Sequence, residues 1–331
     1  MNRHTDARRT VLKIAAVFFA ALLLLSGVLL GLHIWESGHS QYSGDNTLKV
    51  EPLKSFEGET YRLKERVETL LLLGLDAYEG GDTDSFTNDK QADFLLLLVM
   101  DNATGVCKAI HINRDTMVET NGLGVAGEII DTTAPQQIAL AHTYGNGREV
   151  SCRNVANAVT TLLGVPVDHY VSVTMDAVAV FNDLVGGVTV EVLEDFSQID
   201  PTLVQGQTVT LTGAQALTYV RSRQGLADPT NAQRMKRQKQ YLKALHEQSR
   251  RCMQAEEGFV SRAALAMADY IVSDCSGNKL ETMLSRYTEN PVATIHSING
   301  ESKAGEKFME FYPDADSIEA IVIDCFYQKA E

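Results

Sequence analysis

The hydrophobic pattern of this chain changes period several times. "TLLLLGL" (69–75) and "DFLLLLVM" (93–100) are continuous apolar runs bounded by Gly and Asp. At that length they predict strands buried on both faces. "VCKAIHI" (106–112) alternates and predicts a third strand. "APQQIALAHTYG" (134–145) and "SCRNVANAVTTLLG" (151–164) carry helical spacing, the second closed by Gly164. "HYVSVTM" (169–175) and "GVTVEV" (187–192) predict strands, with a helix in "DAVAVFNDLVGG" (176–187) between them. "LTGAQALTYVRSR" (211–223) predicts a helix running into a loop. Thr230 with Gln233 forms a capping-box pattern for a helix starting near Asn231, with Arg234, Gln238 and Tyr241 on one face. "VATIHSI" (292–298) predicts a strand, and "DSIEAIVIDCFYQ" (316–328) a final helix or strand. Strands alternating with helices predict a layered α/β sandwich.

The first 35 residues follow a different rule. Ile14 to Trp35 contain no Lys, Arg, Asp or Glu, and Arg3, Arg8, Arg9 and Lys13 precede them. A run of that length spans a bilayer core as a helix. Its basic flank stays in the cytoplasm, so the chain beyond faces outward. The expected organisation is a cytoplasmic tail (1–13), a transmembrane signal-anchor (14–35), a polar stalk (36–65) and an extracytoplasmic domain (66–331), with its core motifs in 69–247.

Charge adds a contrast. The net charge is −14, and with +3 in the first 35 residues the remainder carries −17. So acidic a domain is a poor general binder of nucleic acid. Yet from Arg221 to Arg251 nine Lys and Arg face only Asp228 and Glu247. A cluster of this kind is either a solvated helix face or a site for a small anion. Arginine dominates at Arg221, Arg223 and Arg234, and a guanidinium holds two phosphate oxygens at once. Those three, with Gln238, are the candidates for one wall of a pyrophosphate site. Lys236, Arg237, Lys239 and Lys243 are expected on the solvated face.

Asp76 lies just past one apolar strand and Asp93 just before another. If the strands are adjacent and antiparallel, the two carboxylates meet at one sheet edge and suit a hard divalent cation. Alternatively both are strand-end turn residues. Arg114 and Asp115 follow the alternating strand. His111, His142 and His169 lack a partner pattern and are expected to be structural. Five cysteines lie beyond the apolar segment, where disulfides are permitted. None forms a CxxC, and no His/Cys cluster has zinc spacing. Spacing leaves the connectivity open; the pairing expected here is Cys107–Cys152 and Cys252–Cys275, with Cys325 free.

The ordered blocks "LLLGLDAY", "ADFLLLLVMD", "IHINRDTMV", "HYVSVTM", "LVGGVTVEV", "LTGAQALTYVRSR" and "QRMKRQ" resemble the LytR-CpsA-Psr family over Thr69 to Glu247. That resemblance implies a three-layer α-β-α sandwich with a mixed central sheet and an apolar groove for a polyprenyl chain. It also implies a membrane-anchored extracytoplasmic phosphotransferase. Such an enzyme moves an anionic glycopolymer, teichoic acid or capsular polysaccharide, from an undecaprenyl-pyrophosphate carrier to peptidoglycan. Mg²⁺, with Mn²⁺ as substitute, is the implied cofactor. By the same resemblance Asp76 and Asp93 match the metal ligands. Arg114, Arg221, Arg223, Arg234 and Gln238 match the pyrophosphate-binding set, and Asp93, Arg114 and Arg221 are the expected catalytic residues. The chain departs from the family pattern at Gln91, where Arg is common, at Asn113, where Pro is usual, and at Asn231, where Asp is common. Two other readings stay open: a lipid-pyrophosphate hydrolase, and a non-catalytic polyprenyl-phosphate-binding regulator, which Gln91 and Asn231 favour.

Overall fold

In a computed structural model the described residues are 50–75, 88–123, 129–222, 231–275, 292–306 and 308–330, with 226, 279, 283 and 286. In chain order they form β1 (Leu53–Phe56), β2 (Glu59–Leu63), β3 (Val67–Leu75), β4 (Ala92–Asp101), β5 (Val106–Ile112), β6 (Met117–Leu123), β7 (Ile129–Gln137), α1 (Glu149–Leu163) and β8 (His169–Thr174). Then come α2 (Asp176–Leu184), β9 (Val188–Glu191), β10 (Thr208–Leu211), α3 (Gly213–Arg221), α4 (Asn231–Ala255) and α5 (Phe259–Met267). The chain continues through β11 (Ile271–Ser273), β12 (Val292–Ser297), β13 (Gly300–Ala304), β14 (Met309–Pro313), α6 (Ala315–Phe326) and β15 (Tyr327–Lys329). It divides into two compact units, one within 32–173, 272–275 and 294–331, the other within 174–271 and 276–293.

The first unit is built on a six-stranded sheet in the order β11-β8-β3-β4-β5-β12. Both apolar runs are strands of its centre, paired antiparallel from Val67↔Asp101 to Leu75↔Ala92. Leu71, Leu73, Leu95, Leu97, Ile110 and Ile112 face a core shared with Val155 and Val159 of α1 and Val322 and Phe326 of α6. The alternate residues Leu70, Leu72, Leu96 and Leu98 are buried too. That is why these strands are apolar throughout rather than alternating. Each such leucine contributes roughly 1.5–3 kcal/mol on leaving water. The α1 helix ends as predicted, with Gly164 in the left-handed region at φ 65°.

The second unit packs α2, α3, α4 and α5 with the β9–β10 hairpin. Gly213 opens α3 where no side chain fits: a Cβ there would lie 2.5 Å from the Ala179 carbonyl and 2.6 Å from an Asp183 carboxylate oxygen. Asp183 instead accepts from the Gly213 N–H at 2.7 Å. A full capping box of Thr212 and Gln215 fixes the same helix start.

Several expectations are corrected. The stretch 134–145 is not one helix: it is the end of β7 followed by a 3-10 turn, Ile138–Thr143. Pro135 stands in strand β7, paired across from Glu119, and lacks the N–H a helix interior needs. Part of the predicted stalk is structured. Residues 53–63 form a hairpin whose second strand pairs with β15, with Phe56 and Tyr61 packed against the core. The pairing of cysteines is overturned as well, since all five are free thiols. Cys152 belongs to the core on one face of the sheet. Cys107 is offset by odd spacing from Ile110 and Ile112, so the pleat turns it to the other face. A bond between them would have to cross the sheet. Cys252 donates to the Val185 carbonyl and Cys275 lies beside Asp274. Among the described residues no helix is long and apolar enough to cross a membrane. The predicted anchor 14–35, Asp76, Arg223 and Thr230 lie outside the described residues.

Candidate active site

Asp93 owes its position to an irregularity in the ladder. Gly74 pairs with Phe94 but Leu75 pairs with Ala92, so Asp93 is an extra residue in β4. Such a bulge bends the strand and re-aims a side chain. Asp93 is buried, and its carboxylate accepts from Arg114 Nη1. Arg114 Nη2 donates to Gln91 Oε1, and its Nε lies 3.5 Å from an Asp115 oxygen. The Arg114–Asp115 pair is buried: Arg114 is 7 % and Asp115 3 % exposed.

The turn carrying Arg114 is held locally. Asn113 Oδ1 accepts from the Asp115 N–H at 3.0 Å, and the Asn113 carbonyl accepts from the Thr116 backbone and hydroxyl at 3.0 and 2.6 Å. An asparagine turn thus does the work that the usual proline would do by fixing φ. Gln137 Nε2 donates to Asp115 at 3.1 Å, and the Phe311 N–H donates to the Asp115 carbonyl at 2.8 Å.

The approach to Asp93 is clamped as well. Asn88 Nδ2 donates to the His142 and Gly145 carbonyls and to the Ser151 hydroxyl, at 3.0–3.3 Å. His142 Nδ1 lies 2.9 Å from the Lys90 carbonyl. Burial pushes the His142 pKa down to about 4, against a smaller upward pull from that carbonyl. The imidazole is therefore neutral at pH 7 and, with Nδ1 protonated, donates to Lys90. This bears out the expectation that His142 is structural.

The remaining described candidates belong to the second unit. Arg221 ends α3 and is exposed. Arg234, Gln238 and Tyr241 share one face of α4, as predicted, and the structure buries it. Arg234 Nε donates to Asn231 Oδ1 at 2.6 Å, and Gln238 Nε2 donates to the Val220 carbonyl at 3.2 Å. Arg237 is corrected: it is 1 % exposed rather than solvated. It ion-pairs with Glu194 at 2.7 Å, lies over the Phe196 and Tyr219 rings, and donates to the Tyr219 and Ser222 carbonyls. Lys236, Lys239 and Lys243 are exposed, as expected.

Sequence reading missed the acceptor roles of Gln91 and Asn231 and the burial of Arg237. Arg237 lies three residues after Arg234 and one before Gln238, and that spacing, which puts it beside them on the helix, was the available signal. The groups gathered around Arg114 all present oxygens: the Asp93 and Asp115 carboxylates and the Gln91 amide. That chemistry fits a hard cation such as Mg²⁺ or Mn²⁺.

A family model described as the LytR_cpsA_psr family matches residues 36–322. Among curated relatives, a "polyisoprenyl-teichoic acid–peptidoglycan teichoic acid transferase TagU" from Halalkalibacterium halodurans is 30 % identical over 47 % of this chain and 44 % of its own length. The correspondingly named TagV of Bacillus subtilis strain 168 is 24 % identical over 95 % of this chain and 78 % of its own. TagU of Bacillus anthracis is 31 % identical over 62 % and 63 %. The chain thus spans less than half of the first of these relatives. The crystal structure of B. subtilis TagV superposes with a TM-score of 0.58 at 22 % identity, over 80 % of this chain and 97 % of that one. A structure described as TagT bound to LI-WTA gives 0.57 at 21 %, over 79 % and 90 %. These structural likenesses show a shared mixed α/β fold with a central mixed sheet.

Proposed function

This chain belongs to the LytR-CpsA-Psr family, and from that premise we propose that it transfers an anionic glycopolymer of the teichoic acid class from a polyprenyl-pyrophosphate carrier to peptidoglycan. The finer reading is a three-layer α-β-α domain over 66–331, held at the outer face of the cell membrane by an anchor at 14–35, with undecaprenyl as the lipid. The names of the curated relatives support the donor and acceptor classes.

One observation favours an active enzyme over a binding-only regulator. Both departures that raised the question contact an arginine of the proposed set. Gln91 accepts from Arg114 and Asn231 accepts from Arg234. An amide oxygen orients a guanidinium much as a carboxylate does but leaves its charge unneutralised. Asn231 therefore orients Arg234 without the negative charge that the family's usual Asp would add, and Gln91 orients Arg114 where an Arg could not accept.

In this reading Arg114, Arg221, Arg223 and Arg234 hold phosphate oxygens and stabilise the departing polyprenyl phosphate. Gln238 contributes to the same set while bonded to the Val220 carbonyl, next to Arg221. Asp93 takes the proton from the attacking sugar hydroxyl. Asp76 and Asp93 would hold Mg²⁺, which neutralises pyrophosphate charge when bound.

The test is incubation of the purified full chain in detergent with a polyprenyl-pyrophosphate-linked glycopolymer, peptidoglycan oligomers and Mg²⁺. Polymer joined to peptidoglycan, lost in Arg221→Ala and Asp93→Asn, is the expected result. Polymer released without acceptor would mean hydrolysis, and tight binding without turnover would mean a regulator.

A further inference from the structure

We propose that His169, Asp274 and Cys275 form a binding site for a borderline divalent cation of the Zn²⁺ class, separate from the arginine and aspartate residues assigned to transfer. His169 begins β8 and Asp274 and Cys275 follow directly on its neighbour β11, so sheet pairing brings together residues more than a hundred positions apart. This is why no zinc-type spacing is visible in the sequence.

The separations support coordination better than a finished hydrogen-bond network. His169 Nδ1 lies 3.6 Å from Asp274 Oδ1, too far for a good hydrogen bond. Cys275 Sγ lies 3.9 Å from the same oxygen, and one donor atom of each residue falls within 4.8 Å of the other two. Zn²⁺ takes nitrogen and oxygen at about 2.0–2.2 Å and sulfur at about 2.3 Å in tetrahedral geometry, which sets ligand-to-ligand edges of roughly 3.3–3.6 Å. The His169–Asp274 and Cys275–Asp274 separations lie within a few tenths of an ångström of such edges. His169 Nδ1 is buried and faces the Asp274 carboxylate and the Cys275 thiol.

The carboxylate is already oriented from behind. Asp274 Oδ1 accepts from the Tyr170 N–H at 2.9 Å, and Oδ2 pairs with Arg153 of α1, whose guanidinium lies 5.0 Å over the Tyr170 ring. Such outer contacts fix a ligand and tune its affinity. Binding requires a neutral imidazole and a thiolate, so it releases protons. Asp274 and Cys275 raise the His169 pKa to about 10, and the cation must displace that proton.

A second cluster, His296, Asp324 and Cys325, provides the control. There Asp324 already accepts from Lys108 at 2.6 Å and contacts His296 at 2.9 Å. The imidazole–carboxylate contact is already formed there, with His296 Nε2 2.9 Å from Asp324 Oδ2, whereas His169 Nδ1 stands 3.6 Å from Asp274 Oδ1.

The test is titration of the metal-stripped, reduced full chain with Co²⁺ alone. A saturable near-ultraviolet thiolate-to-cobalt band is expected. It should be lost in Cys275→Ser, weakened in His169→Gln and retained in Cys325→Ser. Zn²⁺ should bleach it and raise the melting temperature of the parent chain but not of Cys275→Ser. Absence of the band, its survival in Cys275→Ser, or its loss in Cys325→Ser overturns the proposal. Circular dichroism of each variant separates loss of ligand from loss of fold.

Discussion

Arg237 donates from Nη2 to the carbonyl oxygen of Ser222, one residue beyond Arg221. With its bond to the Tyr219 carbonyl and the Gln238 bond to the Val220 carbonyl, it ties down the C-terminal end of α3. A lysine has one ammonium and cannot reproduce the planar fork. Arg237→Lys should therefore lower stability by about 2–3 kcal/mol in urea denaturation, and Arg237→Met by about 3–5 kcal/mol, because it strands Glu194. Pairing Arg237→Met with Glu194→Gln should recover part of the loss. A change below about 0.5 kcal/mol for Arg237→Met would show that the buried fork is not structural.

Asp93 and Gln91 share Arg114 as their donor, so each should be felt through it. Asp93→Asn removes one of the two carboxylates paired with a buried guanidinium, a change that costs about 3 kcal/mol. Gln91→Leu removes one neutral acceptor and should cost about 1–3 kcal/mol. If Arg114 is the point of coupling, the double variant costs less than the two single changes together. Strict additivity in a double-mutant cycle would refute the shared role.

The parts of this molecule legible in the sequence are those set by local pattern. The runs 69–75 and 93–100 announced strands buried on both faces, and Gly164 announced a helix end. That Arg234, Gln238 and Tyr241 share one helix face followed from helical spacing alone. What escaped depends on partners distant in the chain. The hairpin over residues 53–63 looked like a stalk because its strand partner β15 lies at the far end of the sequence. The spacing of Arg237 from Arg234 marked a shared face, but the groups that hold its charge, Glu194 and the carbonyls of Tyr219 and Ser222, lie elsewhere in the chain. Gln91 looked like a lost arginine because its role is defined by Arg114, 23 residues later.

The thiols make a direct test of the sheet geometry that separates Cys107 from Cys152. A non-reduced digest should contain no Cys107–Cys152 or Cys252–Cys275 peptide, and all five thiols should label after denaturation. In the native protein at neutral pH, Cys252 and Cys275, which are partly exposed, should label first. Burial pushes the pKa of Cys152 and Cys325 up to about 12 and that of Cys107 higher still, so these three hold few thiolates. Fast native labelling of Cys107 or Cys152 would contradict the assignment.

Acid should weaken the clamp on the segment leading to Asp93. His142 has a folded pKa of about 4, against about 6.5 when unfolded. Between these values the unfolded chain binds more protons, so stability rises with pH across this window. His142's contribution is full above about pH 6.5 and is lost as pH falls towards 4, amounting to about 3 kcal/mol when complete. Replacing His142 with Gln removes the titrating group while keeping a donor for the Lys90 carbonyl. Urea denaturation at pH 7 and pH 5 should show a smaller acid-induced loss in His142→Gln than in the parent chain. Equal losses in the two proteins would mean that His142 does not control the acid response.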